Sequence, residues 1–169
     1  KRRILAIEIE ADSENSYVDF GVLDVSASNR DQILSRLLES GMFPFFRQRP
    51  FDVAANPEDH PRSIHISAFD SSPLAASASV ALDGRLADFQ QGIDALAKLA
   101  GDGGVHLGLR RSDNALAGVK NCQMTYFEGP HPSGNVGVQI HHTAPLSKGE
   151  VVWTISPQDV ANLGGLLTS

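Results

Sequence analysis

SIHISAF (63–69), DGRLADFQQGIDALAKLAG (83–101) and VHLGLR (105–110), read together, decide the fold. The first is a compact apolar run of strand length, and Asp70 to Ala76 after it carry turn residues, Ser71, Ser72 and Pro73 among them. In the second, Leu86, Phe89, Ile93, Leu96 and Leu99 recur at helical spacing together with Ala97 and Ala100. Asp83 can cap the start of that helix and Gly101 can end it. The third is extended again. Strand, helix and strand in this order predict two parallel neighbours with the helix packed on the sheet.

Working outward, the same alternation continues. SNRDQILSRLLESG places Ile33, Leu34, Leu37 and Leu38 on one helical face, with Ser28 or Asn29 as cap and Gly41 in the left-handed terminating position. CQMTYFE (122–128) and EVVWTIS (150–156) are two further strands, and SDNALAGV, which precedes the former, can form a short helix. In SPQDVANLGGLL, Ser156 caps, Pro157 takes the first helical position and Asp159 completes a capping box. Residues 4–10 alternate apolar and polar, Ile7 and Ile9 against Glu8 and Glu10, which predicts a half-buried strand. The first 27 residues thus read as the tail of a small β unit, and the whole chain as a piece of a longer protein. A mainly parallel sheet binds ligands beyond the carboxyl ends of its strands, so the loops after residues 69, 110 and 128 are the places to look for function.

Composition narrows the function classes. The chain has 169 residues, 41% of them hydrophobic and 20% charged, enough apolar material for a core. A net charge of −6 argues against nucleic acid as a partner. The basic group Lys1-Arg2-Arg3 is too short for an address signal and reads as strand-edge charge. One cysteine, Cys122, excludes an internal disulfide and a cysteine-only zinc site. No apolar run reaches the roughly 20 residues of a membrane-spanning helix. A cytosolic or cytosol-facing domain is expected.

Two segments carry candidate chemistry. FEGPHPSGNVGVQIHH (127–142) holds His131, His141 and His142 beside Gly134 and Gly137. Adjacent His141 and His142 point in different directions in a helix or a strand, and no H-E-x-x-H or paired-cysteine spacing accompanies them, so no metal site is expected. A helix beginning near Asn135 would aim amides at an anion, yet the spacing matches neither phosphate-loop pattern, and Pro130 and Pro132 each remove a donor. The segment is expected to be a rigid strand-to-helix connector. His65 and His106, single on their strands, are expected to be hydrogen-bonded core or rim residues. GMFPFFRQRPFD (41–52) gathers Phe43, Phe45, Phe46 and Phe51, four of the eight phenylalanines, around Arg47 and Arg49. Aromatic faces with guanidinium donors suit a flat ligand bearing carbonyl oxygens, such as a quinone or a flavin ring. They suit a protein partner equally, and a loop that folds its aromatics back onto the core is the third reading. No nucleophile elbow and no paired catalytic carboxylates are present, so no catalytic residue is assigned.

FEGPHPSGNVGVQIHHTAPL followed by VVWTISPQDVANLG resembles one family. So do three segments before them: ESGMFPFFRQRPFD, the turn A-F-D-S-S-P-L-A-A (68–76) and FQQGIDALAKL. The match runs in order and over nearly the whole chain. That family is the A subunit of the sodium-translocating NADH:quinone reductase of bacteria. The resemblance implies a Rossmann-like three-layer αβα domain over 28–169, truncated at its C-terminus and related to the flavin subunit of respiratory complex I. It implies that residues 1–27 are the end of a barrel-sandwich β domain. It further implies a peripheral position on the cytoplasmic face of the inner membrane, docked on membrane subunits of a complex that couples electron transfer from NADH to quinone with sodium export. FMN, FAD, riboflavin and the iron centres belong to other subunits, and ubiquinone or menaquinone is the substrate. Flavin-binding relatives grip phosphate with a glycine-rich loop after the first helix, where this chain has bulky Phe and Arg. Arg47, Arg49, Pro50 and Phe51, with Phe46, are the quinone-proximal candidates on this resemblance, and His131 and His141 are rim-loop candidates. Arg47 or Arg49 would donate to a quinone oxygen, and the isolated chain is expected to be inactive.

Overall fold

The computed structural model describes residues 4–10, 14, 16–111 and 115–168. In chain order the elements are α1 (Arg30–Glu39), a 3-10 turn (Phe43–Phe45), β1 (Arg47–Arg49), β2 (Val53–Ala54), β3 (Ser63–Ser67), α2 (Ala78–Ala81), α3 (Leu86–Leu99), β4 (Gly104–Arg110), β5 (Gln123–Phe127), α4 (Val136–Thr143), β6 (Val152–Thr154) and α5 (Pro157–Thr168). One six-stranded sheet runs β2-β1-β6-β3-β4-β5. β6, β3, β4 and β5 are mutually parallel, while β1 lies antiparallel to both β6 and β2. The expected mainly parallel α/β fold is therefore present.

Local signals explain most boundaries. Asn29 accepts from the Gln32 amide, and the Gln32 side chain accepts from the Asn29 amide, a complete capping box for α1. Gly41, at φ +75°, lets the Gly41 and Met42 amides reach back to Leu38 and Leu37 carbonyls, which closes the helix in a Schellman turn. On α5 the Asp159 amide donates to Ser156 Oγ, but the Ser156 hydroxyl, not its backbone amide, donates to Asp159 Oδ2. Asp83 does not cap α3. The short helix α2 ends just before it, Gly84 turns the chain at φ +71°, and Arg85 takes the cap position without a side-chain bond.

The core lies on one face of the sheet. Ile64, Ile66, Val105, Leu107 and Leu109 project to that side, where Ile33 and Leu37 of α1, Phe89, Ile93 and Leu96 of α3, and Val160 and Leu163 of α5 meet them. Of the predicted α1 face, Leu38 is exposed, and so is Leu86 at the start of α3. α3 and α5 cross at two glycines. A Cβ on Gly164 would stand 1.8 Å from the Asp88 carbonyl oxygen, and one on Gly92 would stand 2.1 Å from that of Val160. The opposite face carries Ser63, His65, Ser67, His106 and Gly108, and α4 covers part of it. A side chain on Gly108 would collide with Gln139, which is buried there.

Three expectations need correction. Residues 4–10 form no strand and are exposed throughout, Ile7 by 77% and Ile9 by 87%. Alternation alone does not make a strand without a hydrogen-bonding neighbour, and the described residues supply none. Residues 115–118 form turns rather than a helix, and 112–114 lie outside the described residues. The segment 41–52 is not a loop but the 3-10 turn and the β1–β2 hairpin, which extend the sheet at its antiparallel edge.

Candidate functional site

The order of the sheet creates the site. From β3 the chain proceeds to β4 and β5 on one side, then returns across β3 to β6 on the other. Loops leaving β3 and β6 therefore diverge, and an open-sheet ligand crevice belongs between their carboxyl ends. A cleft of about 870 Å³ lies there. Its walls are the ends of β3 (Ser67 to Asp70) and β6 (Thr154 to Ser156), the first turns of α4 and α5, the chain at Ala75, Ala76 and Ala78, and the side chains of Arg47, Arg49 and Phe45.

Each wall has a local cause. Arg47 and Arg49 alternate with Gln48 on a strand, so both reach the same side of the sheet. β1 is held in place by pairing with β6, Arg47 opposite Thr154 and Arg49 opposite Val152. Asp52, at φ +53°, turns the hairpin back, and Arg47 donates to its backbone carbonyl. The Asp52 carboxylate lies 3.4 Å from Arg47 Nε and 3.7 Å from Arg49 Nη2, one negative charge at loose range for two guanidinium groups. Arg49 Nε is buried and has no hydrogen-bond acceptor among the described residues.

The floor is sewn together by serines. Ser67 Oγ donates to the Gly134 carbonyl at 2.8 Å, and the Gly134 amide donates to Ser71 Oγ at 2.8 Å. Ser71 Oγ also lies 3.2 Å from His131 Nδ1, within hydrogen-bond reach. Gly134 passes so close that a Cβ would stand 2.3 Å from the Phe69 carbonyl oxygen and 2.4 Å from the Ser71 amide nitrogen. The histidine-rich turn is thus a connector seated on the loop after β3. Phe69 is buried beneath the Arg110 guanidinium, 4.9 Å from its ring centroid. Hydrogen bonds from the Ser72 amide and hydroxyl hold the Asp70 carboxyl below the usual carboxylate range, so it is ionised at neutral pH.

The candidate residues are dispersed by the fold. Arg47 and Arg49 line the cleft together. Phe46 has no exposed surface. It stacks on Phe43 at 5.5 Å and meets Trp153 edge-on at 5.6 Å, inside the core. Pro50 and Phe51 sit at the hairpin turn, Phe51 83% exposed, and neither lines the cleft. His131 belongs to the connector, and His141 is exposed on the last turn of α4. The backbone of Gly134 to Val138 and the start of α5 were missed as lining, although the Asn135 and Ser156-Pro157 helix starts were legible. Only the strand order reveals that both starts face one crevice.

A second polar cluster lies under α4. His65 and His106 occupy paired positions on β3 and β4, and their rings stack at 4.4 Å and 8°. Ser63 Oγ lies 2.9 Å from His65 Nε2, and His106 Nε2–H donates to the Gly103 carbonyl at 3.0 Å. Burial, then the neighbouring His106 and Arg62, push the His65 pKa down to about 3, and burial lowers that of His106 too. Both imidazoles are neutral at physiological pH. The expectation of hydrogen-bonded core histidines holds, but they form a pair.

Known proteins resemble this chain over nearly its whole length. The A subunit of the Na(+)-translocating NADH-quinone reductase from Serratia proteamaculans is 38% identical over 168 residues, which cover 98% of this chain and 37% of that protein. The corresponding Yersinia pestis protein is 36% identical over 173 residues, 99% of this chain and 38% of the relative. That of Hahella chejuensis is 35% identical over 166 residues, 98% of this chain and 37% of the relative. The chain therefore spans little more than a third of the length of the curated relatives it matches. Residues 28–169 match the family model described as the NqrA second alpha/beta domain, and the chain belongs to that family.

Proposed function

We propose that this domain serves the A subunit of a sodium-translocating NADH-quinone reductase as a docking module that also holds the quinone headgroup. In this reading the domain sits peripherally on the cytoplasmic face of the inner membrane, against membrane subunits. The complex passes electrons from NADH to ubiquinone or menaquinone and exports sodium. The names of the relatives support membership of such a complex. Among the described residues no helix is long and apolar enough to cross a membrane.

The observation that carries the headgroup reading is the cleft wall shared by Arg47, Arg49 and Phe45, with Ala75, Ala76 and Ala78 as small apolar lining. A quinone is flat and apolar on its faces, with two carbonyl oxygens at its edge. Charge grows on those oxygens during reduction, and guanidinium N–H donors stabilise it where water is excluded. Flavin, NADH and iron chemistry are assigned to other subunits. The segment after α1 supports this, because its one glycine, Gly41, closes the helix while Phe43 and Phe46 fill the core against Trp153. A reading of docking alone draws support from Phe51 and Val53, which expose apolar surface on the hairpin.

Titration with short-chain ubiquinone and menaquinone analogues tests the proposal. Saturable binding is expected, weakened about tenfold or more by Arg47→Ala or Arg49→Ala, since each removes a charge-assisted hydrogen bond. Absence of saturable binding in the unaltered chain leaves docking as the function.

A further inference from the structure

Arg49 stands in an unbalanced position. Its Nη1 lies 3.8 Å from where a Cβ of Gly137 would be, against the first turn of α4. The first amides of a helix have no intrahelical acceptors and carry partial positive charge, so a cation there is repelled rather than welcomed. The guanidinium shares its only ion-pair partner among the described residues, Asp52, with Arg47, and its buried Nε has no acceptor among them. Asp70 and Asp159 also line the cleft, but each is engaged by a serine, Ser72 and Ser156 respectively. Two guanidinium groups that share one carboxylate, and an Nε without an acceptor among the described residues, border an open space of about 870 Å³.

We infer that this cleft binds an anionic group, the phosphate or carboxylate of a small molecule, between Arg49, Arg47 and the Val136–Gly137 turn of α4. The inference rests on the reading above only in taking the cleft as a ligand site, and it assigns the same arginines an anionic ligand distinct from the quinone. A planar or tetrahedral anion there accepts from the guanidinium fork and from the first amides of α4 together, and it relieves the repulsion between them. The alanines at 75, 76 and 78 and Phe45 leave room for a less polar remainder of the same molecule. The glycine at 137 matters because the anion must approach the backbone closely.

The test uses inorganic phosphate and acetate as probes, titrated into the 169-residue chain at constant ionic strength and followed by amide and Arg Nε resonances. Saturable shifts at Val136, Gly137 and Arg49 Nε are expected with at least one probe, and the tighter probe assigns the class. Arg49→Gln is expected to weaken that binding about tenfold or more. Gly137→Asp supplies an internal carboxylate at the same place and has room for it. It is expected to abolish probe binding and raise the melting temperature by a few degrees, about 2–4 °C. Non-saturating shifts, or saturable ones that survive both substitutions, overturn the inference. Quinone analogues run on the same samples separate the two proposals. Quinone binding without anion binding defeats this inference alone, the reverse defeats the quinone reading alone, and silence in both defeats the two together.

Discussion

The two faces of the sheet solve the same burial problem in different ways. On one, Ile64, Ile66, Leu107 and Leu109 meet α1, α3 and α5 through apolar contact, and the Phe43–Phe46–Trp153 cluster extends that core beneath the hairpin. On the other, alternate residues of the same strands are Ser63, His65, Ser67, His106 and Gly108, satisfied by hydrogen bonds and by the stacked imidazoles. The apolar face gains stability from area removed from water, which tolerates little loss of volume. The polar face depends on every donor and acceptor being matched and on both histidines staying uncharged. Stability therefore resides on one side of the sheet. Sensitivity to conditions resides on the other, next to the loops that build the cleft.

The contrast can be broken most forcefully at Phe46. Replacing this fully buried ring with alanine is expected to cost about 3–5 kcal/mol in urea unfolding, because Phe43 and Trp153 cannot close the void. A loss below about 1 kcal/mol would place Phe46 outside the core. Next comes Gly164→Ala at the α3–α5 crossing. The added methyl meets backbone rather than a pliable side chain, so a loss of about 1–3 kcal/mol is expected although alanine is the better helix former. An unchanged denaturation midpoint would show that the two helices do not cross so closely.

A pH-dependent effect sharpens the other side of the contrast. His65 has a folded pKa of about 3, well below its value in an unfolded chain, so the unfolded state takes up the proton first as pH falls. Its contribution is complete above about pH 6.5 and drains away between there and about pH 3. The expected slope approaches about 1.4 kcal/mol per pH unit for each such histidine. The interval from about pH 6.5 to about 4.5 is the cleanest, since the carboxyl groups with lowered values act below it. His65→Gln is expected to flatten thermal stability across that interval. A slope equal to that of the unaltered chain would refute the buried neutral pair.

The sequence announced the parallel strands, α1, α3 and α5, because their signals are local: apolar period, capping side chains, terminating glycine. It did not announce the β1–β2 hairpin. A three-residue strand of Arg-Gln-Arg has no apolar pattern, and its turn depends on Asp52 adopting a left-handed conformation that asparagine-like residues only sometimes take. The cleft was half legible. Arg47 and Arg49 stood out by composition, but that they share a wall with Gly134 and Gly137 follows from β6 inserting beside β3, a long-range fact. Phe46 and Phe51 looked alike as aromatics flanking arginine, and only packing sent one to the core and the other to solvent. The partnership of His65 and His106 needed strand register, which no spacing encodes.

The glycine crossing of α3 and α5 has a mechanical corollary for the cleft. α5 begins at the cleft, with Pro157 to Asp159 on its wall, and is seated on α3 by Gly164, about two turns after Pro157. Backbone touching backbone leaves no side-chain cushion through which one rod could slip along the other. The rim therefore behaves as a fixed jaw, and adjustment to an occupant falls to the opposing hairpin, whose two-residue outer strand is tied to the body along one edge only.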